Sequence, residues 1–153
     1  MIKKLLIVKL GSSHPELIAR YGDFEDWIQT AARVKHSSVE IVSPLNAASL
    51  PNPLDFSGTI LSGSHAMVTD QNEWSLRTEE WIRRVMVPLL GICYGHQLIA
   101  SAAGGSVGEN PNGREFGTIT LSVSGNACSD PLFLSASRQI HPQLSVGHSS
   151  SEH

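Results

Sequence analysis

The chain is short of cysteine. Its 153 residues hold two, Cys93 and Cys128, too few for a disulfide framework, and no Cys-x-x-Cys spacing offers a metal site. Nothing in the sequence calls for a metal or a bound cofactor. Positive charge is in deficit: 11 Lys and Arg against 14 Asp and Glu give a formal net charge of −3. That leaves no basic footprint for nucleic acid. Long apolar runs are missing too. The N-terminal Met1-Ile2-Lys3-Lys4-Leu5-Leu6-Ile7-Val8 starts like a secretion signal, but its apolar part is short and stops at Lys9. No stretch approaches the ~20 apolar residues of a membrane-spanning helix. These absences point to a cytoplasmic protein with no nucleic-acid or membrane partner, in a reducing compartment that suits a working thiol.

What is present reads as one domain over residues 1–153, large enough to bury a core. The N-terminal run is a first buried parallel strand, followed by a loop over Gly11-Ser12-Ser13-His14-Pro15. Gly22-Asp23 opens a helix with Asp23 as its N-cap. Phe24, Trp27, Ile28 and Ala31 recur at i, i+3, i+4 and i+7 and form one apolar face. Val39 to Val42 is a short strand ended by Pro44, and Asn46 to Asp55 is a proline-punctuated loop or short helix. Phe56 to Leu61 is the next strand, ending at Ser62-Gly63-Ser64. Trp74, Thr78, Trp81 and Val85 form a second helical stripe, with both tryptophans read as core. Val85 to Ile92 feeds another strand, His96 to Ala103 a helix, and Gly104-Gly105 stops it. Gly117 to Val123 and Gln143 to Val146 look extended. Alternating strands and helices predict an α/β fold with a largely parallel sheet. Gly11, Gly63 and Cys93 then fall at the carboxyl ends of strands, where such sheets place their sites.

The most informative segment is Pro88-Leu89-Leu90-Gly91-Ile92-Cys93-Tyr94-Gly95-His96-Gln97. An apolar strand runs into Gly-x-Cys-x-Gly and then a helix, the thiol form of a nucleophile elbow. The turn lifts the nucleophile above the sheet edge, and the glycines keep the backbone clear of substrate. The helix that follows points its positive end at the sulfur and favours an anion there. The plain alternative is a buried structural cysteine; the glycines and the preceding strand argue against it.

The elbow with its trailing His96-Gln97 resembles that of class I glutamine amidotransferases. Ile60-Leu61-Ser62-Gly63-Ser64 resembles the family's oxyanion strand and loop, and Gly104-Gly105 the turn after the elbow helix. Arg114-Glu115-Phe116-Gly117 resembles the segment typical of its GMP-synthase-like branch, and Asp130-Pro131-Leu132-Phe133 resembles another marker of the family. Gly22-Asp23-Phe24-Glu25-Asp26-Trp27 looks like stand-alone members of that branch. The resemblance implies a flavodoxin-like open sheet with helices on both faces. It also implies hydrolysis of the glutamine side-chain amide to glutamate and ammonia through a Cys93 thioester. The oxyanion would be held by backbone N–H groups of Gly63 and Tyr94, and the amino-acid end by Gln97 and a pocket shaped by His148. The implied partners are glutamine or a γ-glutamyl compound, and a synthase subunit that receives ammonia. Arg114 and Glu115 would be wall residues without assigned chemistry. His96 is not read as the base, and Cys128 is read as an incidental thiol.

The pattern breaks at the triad. The family completes it with a late His-x-Glu, in which histidine takes the thiol proton and glutamate orients it. No His-x-Glu follows Cys93. His148-Ser149-Ser150-Ser151-Glu152-His153 resembles the family's earlier Ser-His segment, so the expectation is a domain incomplete at its C-terminus, with weak or absent turnover. No ATP-pyrophosphatase segment is present. Two other classes stay open: a non-catalytic binding domain of the same fold, and a thiol hydrolase or peptidase of the same superfamily.

Overall fold

The computed structural model describes residues 3–46, 49–111 and 113. The chain divides into a unit over Met1–Glu109 and another over Asn110–His153. Every element below belongs to the first. The extended segments expected over Gly117 to Val123 and Gln143 to Val146 lie outside the described residues.

Four short strands carry the fold: β1 (Leu5–Val8), β2 (Val39–Val42), β3 (Gly58–Leu61) and β4 (Leu89–Gly91). They form one sheet in the order β2-β1-β3-β4, and all three pairings are parallel. Leu6, Ile7 and Val8 of β1 have no exposed surface, as expected for a central strand covered on both faces. Their side chains alternate. Leu6 and Val8 join one core cluster with Trp81, Tyr94 and Leu98, while Ile7 joins Ile28 and Val39 on the other face. Period-two alternation thus splits the core into two layers.

Among the described residues four α-helices flank the strands: α1 (Pro15–Tyr21) and α2 (Phe24–Ala32) between β1 and β2, α3 (Glu73–Ile82) between β3 and β4, and α4 (Tyr94–Ala102) after β4. The chain leaves β1 towards β2 on one side and later places β3 on the other. The carboxyl ends of β1 and β3 are therefore a topological switch point, where open α/β sheets bind ligands.

Most expected elements are found. The strand over Val39–Val42 has the expected bounds, and Asp23 caps α2 in a capping box with Asp26. The proline-rich loop makes two single turns, Pro44–Asn46 and Pro53–Asp55. Helix α3 ends at Ile82, before Val85, although Val85 still packs on the core. Trp81 is buried and Trp74 partly so, both against that core. Helix α4 begins two residues earlier than the expected His96, directly after Cys93. Helix α1 was not expected. It buries none of its residues, so it lacks the apolar stripe that marks a helix in sequence; Pro15 in its first turn starts it. Among the described residues, no helix is long and apolar enough to cross a membrane.

Candidate active site at the carboxyl ends of the strands

Cys93 stands between β4 and α4 with φ 52° and ψ −110°. For a residue with a side chain this is strained backbone, costing on the order of 1–3 kcal/mol. Hydrogen bonds hold it in place. The Ile92 N–H donates to the Leu61 carbonyl at 3.0 Å, and the Gly95 N–H lies between the Ser62 (3.2 Å) and Ile92 (3.0 Å) carbonyls. The Gln97 N–H donates to the Cys93 carbonyl at 3.1 Å, closing the first helical turn.

The two glycines of the motif serve this packing. A Cβ on Gly91 would lie 2.5 Å from the Gly95 carbonyl carbon and oxygen. One on Gly95 would lie 2.6 Å from the Leu61 Cβ and carbonyl oxygen. Their contacts are with the elbow itself and with β3, so their sterically required role is to let strand, turn and helix touch. Tyr94 anchors the elbow from below. It is buried, shares a 2.8 Å hydrogen bond with the Ser75 hydroxyl, and lies against Trp74 with ring centroids 5.6 Å apart. Burial pushes its phenol up; the bond to Ser75 works against that, and the Asp70 and Glu79 charges add to it.

The loop after β3 closes on the same point. A Cβ built on Gly63 would sit 3.8 Å from that of Cys93, so the expected neighbours meet. Tyr94 opens its helix, and its N–H has no partner within it. The Ser62 hydroxyl ties the two central loops together, accepting from the Leu10 N–H and donating to the Gly63 carbonyl, each at 2.9 Å. Cys93 is exposed, Gln97 half-buried and His96 exposed. His148, Arg114, Glu115 and Cys128 lie outside the described residues.

A cavity of about 510 Å³ opens above the thiol. Cys93 and Ile92 form one side, and Gly63, Ser64 and His65 another. The third is the face of α2 that carries Phe24, Trp27, Ile28 and Ala31. On this expected apolar face Ile28 alone of the four is buried; Trp27 keeps 37% of its surface. His65 was missed. Its ring lies 5.0 Å from that of His14 and 6.3 Å from Phe24, centroid to centroid. Its signal in the sequence was place alone, two residues after the glycine that ends the β3 loop.

An ionic cluster fixes α2 against the sheet. Lys9, just past β1, reaches Asp23 at 2.7 Å and Glu25 at 2.6 Å. Asp23 also accepts from the Ser13 and Phe24 N–H groups, each at 2.8 Å. Burial works to raise the Asp23 carboxyl. The Lys9 ammonium, those N–H groups and the Ser12 hydroxyl outweigh it and hold the pKa at about 2. Burial likewise works to lower Lys9, and its two carboxylate partners raise it above its usual value. Among the described residues no cluster of His, Cys, Asp and Glu could hold a metal ion.

Comparison with known proteins agrees with this fold. The family model for class-I glutamine amidotransferases matches residues 16–151. The glutamine-hydrolyzing GMP synthase of Citrobacter koseri is 33% identical over 131 residues, covering 81% of this chain and 21% of that protein. That of Pyrobaculum aerophilum is 34% identical over 134 residues, covering 86% and 23%. The chain thus spans about a fifth of the length of the curated relatives it matches. Among solved structures, a glutamine amido transferase from Methylobacillus flagellatus superposes with a TM-score of 0.55 at 21% identity. It covers 72% of this chain and 43% of that one, and shares the fold.

Proposed function

The chain belongs to the class I glutamine amidotransferase family, and from that premise we propose that Cys93 is the nucleophile of a glutaminase site. The Cys93 sulfur attacks the side-chain amide carbon of glutamine, and the C–N bond breaks to release ammonia. Water then cleaves the thioester to give glutamate. The N–H groups of Gly63 and Tyr94 hold the oxyanion; removing one such donor typically costs roughly 10²–10³ in rate. Gln97 and His148 bind the amino-acid end. Residues 1–153 act as one cytoplasmic domain of the amidotransferase type; with no His-x-Glu after Cys93 its own glutamine turnover is weak, and the ammonia it releases passes to a synthase partner.

One observation carries this reading: an exposed thiol held at φ 52° on the floor of a cavity. A structural cysteine has no use for that strain. That no His-x-Glu follows Cys93 in the sequence supports a second reading, a binding domain of the same fold that does not turn substrate over. The test is ammonia release from glutamine, with intact-mass detection of a glutamyl thioester, for wild type and Cys93→Ala. A thioester or turnover that depends on Cys93 supports the enzyme. Neither signal at millimolar glutamine favours the binding domain.

A further inference from the structure

The wall of the cavity says more about its occupant than the thiol does. Attack by Cys93 on an amide carbon divides the substrate in two: the acyl part that stays on sulfur and the amine that leaves. For glutamine the acyl part ends in a charged amino and carboxylate pair. Among the described residues lining the cavity none is Lys, Arg, Asp or Glu, and their polar side chains are those of Ser64, His65 and Cys93. The charged end finds no counter-charge among these described side chains. The amine side therefore faces this wall, yet the amine of glutamine is a single NH₂ group, and a water-sized group fills only about 30 Å³. The cavity measures about 510 Å³, within the range of sites for drug-sized ligands.

Part of its apolar surface is an aromatic pair. Phe24 and Trp27 meet edge to face, 66° apart with centroids 5.5 Å from each other. Trp27 is locked by a 2.8 Å hydrogen bond from its indole N–H to the Tyr21 carbonyl. The capping box and the Lys9 cluster hold the start of the same helix. A fixed aromatic slot next to a nucleophile suits a flat or apolar group that arrives with the amide.

We propose that the site recognises N-substituted γ-glutamyl amides whose amine carries an apolar or aromatic group. This rests on the amidotransferase reading for the role of Cys93. The chemistry balances as for glutamine. The C–S bond forms, the C–N bond breaks, and the proton from the thiol leaves on the amine. Water then adds to the thioester, returning glutamate and the free thiol.

Binding and turnover separate this inference from the reading beneath it. Titration calorimetry on Cys93→Ala compares L-γ-glutamyl-p-nitroanilide with L-glutamine. Cys93→Gly is the second background, because glycine accepts the positive φ without strain. The anilide is expected to bind at least about tenfold more tightly, from the apolar area it buries. Added to that background, Trp27→Ala, which removes the slot, and Ala31→Trp, which fills the cavity, should each shrink that preference to near parity. Glutamine binding as tightly as the anilide, or a preference untouched by both changes, overturns the inference. In the wild type, Cys93-dependent release of p-nitroaniline whose KM rises on Trp27→Ala while that for ammonia release does not supports both. Glutamine turned over with no anilide preference sinks this inference alone. An intact anilide preference with neither substrate hydrolysed sinks the hydrolytic reading and leaves the recognition standing.

Discussion

Gly95 lies against Leu61 so closely that a methyl group on it would sit 2.6 Å from both the Cβ and the carbonyl oxygen of Leu61. The helix behind the nucleophile thus rests directly on the neighbouring strand. Gly95→Ala must push α4 away from β3. Overpacking of this kind typically costs about 1–3 kcal/mol, and here it also displaces the Cys93 turn. The expected outcome is a lower urea midpoint together with loss of any Cys93-dependent activity. Unchanged stability would show that the contact relaxes at no cost.

The strain at Cys93 predicts an unusual ordering of variants. Replacing a residue by glycine usually destabilises, because the unfolded chain gains freedom. At φ 52° glycine relieves strain that alanine keeps. Cys93→Gly is therefore expected to be more stable than Cys93→Ala by about 1 kcal/mol, although both lose the thiol. Urea denaturation of the pair checks it.

Alkylation should find Cys93 first. Its thiol is exposed, opens onto the cavity, and stands at the start of a helix, where negative charge is favoured. Iodoacetamide is expected to modify Cys93 before Cys128, as read by peptide mass mapping over time. Equal rates would remove the case for an activated site.

Glutamine turnover by the 153-residue chain is expected to stay near background even while Cys93 alkylates. Hydrolysis needs a group to take the thiol proton and return it to the amine, worth typically about 10²–10⁴ in rate, and no His-x-Glu follows Cys93 in the sequence. Robust turnover abolished by His65→Gln would instead make the imidazole on the cavity wall that group.

The Asp23 cap gives a pH signature. Its carboxyl titrates near 2 in the folded chain, against an ordinary value of 3.8. A depressed carboxylate stabilises the fold above its ordinary pKa, and that contribution is lost as pH falls from about 4 towards 2. The shift corresponds to about 2 kcal/mol at neutral pH. Asp23→Asn should therefore cost most near pH 7, with the gap to wild type closing below pH 4. A gap that stays constant with pH would place the effect in the cap geometry and not in the charge.

Much of this was legible in the sequence because each legible feature has a local cause. Val39–Val42 declares itself by its β-branched residues, Asp23 by its place before an amphipathic run, and Cys93 by the glycines around it. The rest was hidden where one pattern serves two ends. Apolar spacing on α2 reads as core, but Phe24 and Trp27 share that spacing while lining a cavity. Helix α1 buries nothing and so leaves no periodic trace. The glycines were expected to clear the path of a substrate. Their tightest contacts, with the elbow backbone and Leu61, exist only once strand and helix are side by side.

Those contacts separate two kinds of inheritance. Gly91 and Gly95 answer to the fold, because a side chain at either one collides with backbone whatever the chain does for a living. Cys93 answers only to chemistry, since its backbone conformation would suit glycine better. A lineage that abandoned catalysis would be free to exchange the thiol at once and would gain stability by doing so. The glycines would remain as its fossil, marking where a nucleophile once stood.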